Sequence, residues 1–270
     1  MSTIQFQADT AGRKITGTTD NVSRLALVNP GWKETANWSV TLDGQTIPFP
    51  DFAKAKPIQL ERSGEKWAFR PSPLPPDCKR PGRAGPIKEA LRRNMVYIVG
   101  TTGTPEEAKA NWEKACYDAE LFYYRGNGAI EIRTDAEWAA NPQLFQGRNL
   151  VLVGHEENNK AMASLLATSP IHVRRGTLQW PDKKMQGSNL AAIFVRPSPG
   201  DPEGSIVIQA GTGPEGIRLN QRLSLWVSGS AFPDFLIYDA SMLKKGTEGI
   251  LATGYFGTDW EWSPNQVSTP

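Results

Sequence analysis

Met95-Val96-Tyr97-Ile98-Val99 runs straight into Gly100-Thr101-Thr102-Gly103-Thr104, and a helix-like segment opens at Pro105. The pattern returns twice. Leu150-Val151-Leu152-Val153 precedes Gly154-His155-Glu156-Glu157-Asn158-Asn159, and Ser205-Ile206-Val207-Ile208-Gln209 precedes Gly211-Thr212-Gly213-Pro214-Glu215-Gly216. Continuous, β-branched apolar runs mark strands buried on both faces, as in parallel sheets. A helix after each strand predicts right-handed βαβ crossovers. The three polar loops then fall along the carboxyl edge of one sheet, where open α/β sheets bind ligands.

Outward from these runs, residues 105–124 read as a long amphipathic helix. Thr104 caps it, Pro105 takes the first position, and Glu106 and Glu107 suit the dipole. Ala108, Trp112, Ala115, Ala119 and Phe122 fall near helical spacing and are expected to face the sheet. Arg125-Gly126-Asn127-Gly128 stops the helix. Residues 129–133 form the next strand, and 158–166 and 214–227 two further helices. A short helix opens at Pro86, and residues 193–195, 235–238 and 250–252 complete a mixed sheet, with a hairpin inserted at 171–180. The fold class expected for residues 87–262 is a three-layer αβα, Rossmann- or flavodoxin-like α/β domain, followed by a tail at 263–270.

Ahead of it, residues 1–70 read as a small all-β, sandwich-like domain. Asp43-Gly44 after Trp38-Ser39-Val40-Thr41-Leu42 is a two-residue hairpin signal, and Ser63-Gly64-Glu65 marks a second turn. Residues 71–86 carry Pro71, Pro73, Pro75, Pro76, Pro81 and Pro86 and read as an extended linker.

The bulk numbers exclude several classes. Thirty basic against 28 acidic residues give a formal charge of +2, which argues against nucleic-acid or membrane-surface binding. No apolar run is long enough to span a bilayer. The start, Met1-Ser2-Thr3-Ile4-Gln5-Phe6-Gln7, lacks signal-peptide features. A complete chain is therefore expected in the cytoplasm; a piece of a longer protein leaves the compartment open, export included. Two cysteines, Cys78 and Cys116, form neither a disulfide framework nor a zinc pattern; two thiols are the favoured reading and a single disulfide between them the alternative. Nine tryptophans, Trp32, Trp38, Trp260 and Trp262 among them, are read chiefly as core anchors.

Candidate ligand-binding residues follow from the carboxyl-edge geometry: Thr101, Thr102, Thr104, His155, Asn158, Asn159 and Thr212, with Arg196 after the strand at 193–195. Gly100 to Thr104 leads into a helix N-terminus that favours an anion. It lacks the Lys-Ser/Thr ending of a phosphate-binding P-loop and the full dinucleotide fingerprint, and the competing reading is a tight βα turn. His155 can serve as a general base with Glu156 or Asp259, or be an ordinary loop histidine. His172 reads as structural, and two separated histidines make no metal site. Arg196 and Arg218 can face an anion or form ion pairs. No serine nucleophile elbow is present; Val227-Ser228-Gly229-Ser230-Ala231 follows a helix rather than a strand. Neither a cofactor nor a metal is implied.

Several phrases together carry a family resemblance. They are Gly82-Arg83-Ala84-Gly85-Pro86-Ile87-Lys88-Glu89-Ala90, residues 96–104, Tyr123-Tyr124-Arg125-Gly126-Asn127-Gly128, Phe194-Val195-Arg196-Pro197 and Tyr255-Phe256-Gly257-Thr258-Asp259-Trp260. They resemble the region C-terminal to the catalytic domain in large bacterial prolyl-oligopeptidase-like (α/β-hydrolase, peptidase S9-like) proteins, and the β-rich stretch Ile15-Thr16-Gly17-Thr18-Thr19-Asp20-Asn21-Val22 with Leu25-Ala26-Leu27 resembles the segment preceding it. The resemblance covers nearly the whole chain. It implies a parent whose Ser-Asp-His triad lies in a separate upstream domain, acting on peptides or esters, so no catalytic residue carries over. The expected role is a non-catalytic accessory module that packs on, gates or binds substrate for a hydrolase domain, in cis or in trans. The rivals are a stand-alone hydrolase or transferase centred on His155 and a purely structural domain. Expected partners are that hydrolase domain and a small-molecule or peptide ligand, with neither nucleic acid nor membrane.

Overall fold

The computed structural model describes residues 2–30, 32, 33, 37–47, 57–70 and 75–269. The chain divides into two compact units, residues 1–75 and 76–270. Pro71 and Pro73 of the expected linker lie outside the described residues.

Among the described residues, the first unit holds two small sheets. β1 (Thr3–Asp9) and β2 (Lys14–Asp20) form an antiparallel hairpin, and β3 (Arg24–Leu27) follows. β4 (Ser39–Leu42) lies parallel to β2 and turns at Asp43-Gly44 into β5 (Gln45–Ile47). Both turn residues have positive φ, 49° and 80°, as the two-residue hairpin requires. β6 (Ile58–Ser63) and β7 (Lys66–Arg70) join β3 in the second sheet. Alternation decides which side is dry: Val40 and Leu42 of β4, and Ile58 and Leu60 of β6, are buried while their neighbours are not. These side chains share one cluster with Ile15, Trp38, Ile47 and Trp67. Each such aliphatic burial contributes about 1.5–3 kcal/mol.

The second unit is built on an eight-stranded mixed sheet. Residues 76–86, expected as linker, belong to this unit and fold around Arg83, which is 1 % exposed. Its guanidinium donates to the carbonyls of Pro76, Cys78 and Asp201. The remaining elements, in chain order, are β8 (Met95–Val99), α1 (Pro105–Gly126), β9 (Glu131–Thr134), α2 (Asp135–Ala140), β10 (Asn149–Gly154), α3 (Lys160–Leu165), β11 (His172–Arg174), β12 (Thr177–Trp180) and β13 (Lys183–Gln186). After them come β14 (Leu190–Pro197), β15 (Ser205–Gly211), α4 (Pro214–Leu219), β16 (Phe235–Asp239), α5 (Met242–Lys245), β17 (Ile250–Gly254) and β18 (Val267–Ser268). The sheet order is β18-β17-β16-β14-β15-β10-β8-β9. β8, β9, β10 and β15 are parallel neighbours, and β14, β16, β17 and β18 are antiparallel. The central strands are apolar on both faces: β10 and β15 are buried along their whole length.

The second unit is not the expected three-layer αβα, Rossmann- or flavodoxin-like domain. Among the described residues strands spread over four sheets, and β11, β12 and β13 form a separate three-stranded one. Only α1, at 22 residues, is a full-length helix; α2, α3 and α4 have six residues and α5 has four. The helix expected at 214–227 ends at Leu219, and a 3-10 turn follows at Asn220–Arg222. The antiparallel half explains the shortage: β14 returns into β15 through a short turn in which Ser198 N–H bonds to the Gly204 carbonyl, leaving no room for a crossover helix.

The buried face of α1 also differs from expectation. Glu107, Ala110, Asn111, Lys114, Ala115 and Asp118 point inward, whereas Trp112 is 45 % exposed. The inward stripe is polar because the sheet meets it with polar groups. Lys114 Nζ donates to Asp118 Oδ1 at 2.6 Å, and Asp118 Oδ2 accepts from Tyr97 OH at 3.1 Å and Gln209 Nε2 at 2.8 Å. All four side chains are inaccessible to solvent. Burial pushes the Tyr97 hydroxyl well up and the Lys114 ammonium down.

Candidate functional site

Parallel pairing of β8, β10 and β15 brings the three glycine-opened loops side by side at the carboxyl edge. The threonine and histidine groups of these loops are bonded within the fold. Thr101 N–H and Oγ1 donate to Asp135 Oδ1 at 2.9 and 2.6 Å, and Thr102 Oγ1 and Lys160 N–H donate to Asp135 Oδ2 at 2.8 and 3.0 Å. Asp135 is solvent-inaccessible at the first turn of α2. Burial alone raises its carboxyl, but the bonds from Thr101, Lys160 and Thr102 outweigh that and hold it below the usual carboxylate range. The anion expected at Gly100 to Thr104 is thus met by a carboxylate of the chain itself.

The N-terminus of α1 is filled in the same way. Glu107 Oε2 accepts from Thr104 N–H at 2.9 Å while Thr104 Oγ1 accepts from Glu107 N–H, a reciprocal cap. Arg175 grips Glu107 with Nε at 2.7 Å and Nη2 at 2.8 Å. That fork, opposed by burial and helped by the Thr104 N–H and His155, sets the Glu107 carboxyl at about 2.

His155, 1 % exposed, has both ring nitrogens occupied. Nε2 lies 3.1 Å from Glu107 Oε1, and Nδ1 accepts from Glu157 N–H at 3.2 Å. These partners assign the neutral tautomer with hydrogen on Nε2. Burial lowers its pKa despite the Glu107 carboxylate alongside. Glu156 turns away from it and binds His172 Nδ1 at 2.8 Å, Val173 N–H and Arg174. Asn158 accepts from His155 N–H at 2.8 Å, and Asn159 caps α3 and donates to the Ile98 and Val153 carbonyls. Thr212 is bound to Leu190 through backbone and hydroxyl.

Arg196 and Asp259 stand at the opposite edge. In the β14–β15 register Arg196 faces Ile206 while Ala191 faces Gly211, so the two edges are about 17 Å apart along the strands. Two adjoining cavities open at this amino edge, about 530 and 300 Å³, sharing Leu165, Ser198, Pro199 and Gly200. Arg196 and Asp259 line the smaller one with Asp77 and Trp260. Arg196 donates from Nη1 to the Trp260 carbonyl at 2.6 Å and stacks over Phe256. Burial brings its guanidinium down to about 10, still protonated at neutral pH. Asp234, wholly buried, binds Lys79 and Phe256 N–H; burial raises its carboxyl against the pull of Lys79. Cys78 is buried and donates to Asp259 at 2.8 Å; Cys116 is exposed on α1, and no disulfide joins the two.

The structure therefore joins seven of the eight proposed ligand residues at one edge and separates Arg196 from them. Sequence reasoning missed Asp135, Glu107 and Arg175. A cap signature, Thr-x-x-Glu over 104–107, was legible for Glu107; Asp135 and Arg175 are brought in by tertiary packing alone.

No family model matches this chain. A protein described as an uncharacterized secreted protein of Arthroderma benhamiae (strain ATCC MYA-4681 / CBS 112371) is 21% identical over 255 residues, covering 91% of this chain and 26% of that protein. The chain spans about a quarter of that relative's length. Among the described residues, no helix is long and apolar enough to cross a membrane.

Proposed function

We propose that this chain is a non-catalytic accessory module of a larger, exported prolyl-oligopeptidase-like serine hydrolase. The observation that carries the non-catalytic part is the occupation of the carboxyl edge. The base candidate, His155, has both ring nitrogens hydrogen-bonded within the fold, and the Thr101, Thr102 and Thr104 donors that would meet an oxyanion are spent on Asp135 and Glu107. A general base needs a nitrogen lone pair open to a substrate proton. Export is supported by the description of the Arthroderma benhamiae relative, and membership in a larger protein by the quarter of that relative which the chain matches. The hydrolase connection rests on the phrases at 82–90, 96–104 and 255–260.

The test is turnover. Purified chain and its His155→Ala variant are assayed on p-nitrophenyl butyrate and on peptide p-nitroanilides. The reading expects neither protein to exceed the buffer rate. Hydrolysis by the wild type that disappears in folded His155→Ala overturns it in favour of the stand-alone enzyme.

A further inference from the structure

The cavity of about 300 Å³ at the amino edge is lined by one cation, Arg196, together with Asp77 and Asp259. Lys79 and Arg196 share one buried carboxylate, Asp234, and Lys79 is the group that binds it. Arg196 is 8 % exposed, and among the described residues no carboxylate stands within ion-pairing distance of it. It donates from Nη1 to the Trp260 carbonyl, leaving Nε and Nη2 without a protein acceptor among the described residues. Neither is among the solvent-excluded side-chain nitrogens that lack a partner, so both are open at the cavity that Arg196 lines, where an anion can pair with a cation largely removed from bulk water. The two open nitrogens belong to a planar fork suited to two-point contact with a carboxylate.

We propose that Arg196 anchors a carboxylate ligand in this cavity, the carboxyl group of a small organic acid or of a peptide C-terminus. The surroundings select within anions. Leu165, Leu166, Pro197 and Trp260 give an apolar wall for a hydrophobic side chain next to the carboxylate. Asp77 and Asp259 line the same cavity and repel a dianion such as phosphate more strongly than a carboxylate, which carries one charge and can turn it to the Arg196 fork. The volume sits at the small end of ligand pockets, room for roughly one or two residues of a peptide. The inference stands apart from the accessory reading, since a lone protein can carry the same pocket.

The full chain is titrated calorimetrically with N-acetyl-L-leucine, with its amide, with the tripeptide Ala-Ala-Leu and with inorganic phosphate. Both acids are expected to bind, the amide and phosphate to fail, and their order to say which carboxylate source fits better. Arg196→Gln is expected to weaken the acids about tenfold or more. Because Arg196 is buried, Thr168→Trp serves as the second variant: Thr168 is exposed on the cavity lining, and an indole there fills the space while leaving the guanidinium intact. It is expected to abolish binding with the melting temperature unchanged. No binding of either acid up to about 10 mM, equal binding of acid and amide, or unchanged affinity in folded Thr168→Trp overturns the proposal.

Discussion

His155 and Glu107 tie stability to pH with the same sign. The His155 pKa is depressed from 6.5 in the fold, so the unfolded chain takes up that proton first and stability falls as pH drops through 6.5 toward the folded value. Glu107 falls from 4.5 unfolded to about 2 folded, so its contribution is present above 4.5 and lost between 4.5 and 2. Urea midpoints measured from pH 8 to pH 3 are expected to decline throughout, and His155→Gln is expected to flatten the part near pH 6. An unchanged slope in His155→Gln refutes the neutral, buried assignment. Asp135→Ala strands the donors of Thr101, Thr102 and Lys160 and is expected to cost about 1–3 kcal/mol. The lining of the carboxyl edge was legible at this scale, because glycine-opened turns after buried strands name their own place. The carboxylate that fills it was not: Asp135 lies 34 residues from Thr101, and no local spacing links them.

Among the elements, α1 carries the clearest departure from pattern. Aromatic residues at helical spacing ordinarily face a core, but here Trp112 faces out and Lys114 and Asp118 face in. Periodicity identifies a face and its width; it does not say which face the sheet accepts when the sheet itself presents Tyr97 and Gln209. Removing one partner of this buried pair leaves the other uncompensated. Lys114→Met and Asp118→Leu are each expected to cost about 3–5 kcal/mol, and the double variant less than their sum. Additive losses contradict the pairing. The loop at 211–216 answers to packing as well: a Cβ on Gly216 would lie 2.2 Å from the Leu190 carbonyl oxygen, and one on Gly211 2.1 Å from the Ile217 nitrogen. Gly216→Ala is expected to destabilise by about 1–3 kcal/mol, read as a lower urea midpoint.

Across the whole molecule, the parallel strands and the β-rich first unit could be read from apolar runs and turn residues. The antiparallel half misled, since short buried strands look the same in either direction and only connection length separates them. The proposed function rests on where donors remain open. At the carboxyl edge Asp135, Glu107, Arg175 and Asn158 bond the threonine, backbone and ring groups they meet, and the amino edge keeps a cavity lined by Arg196. The central claim is a non-catalytic module attached to a serine hydrolase. It is tested most directly by labelling extracts and culture medium of the source organism with a serine-reactive fluorophosphonate, followed by capture with an antibody raised against this chain. The account predicts a labelled species well above 29.7 kDa, with the label mapping outside residues 1–270. Label within those residues, or capture of an unlabelled species alone, contradicts it.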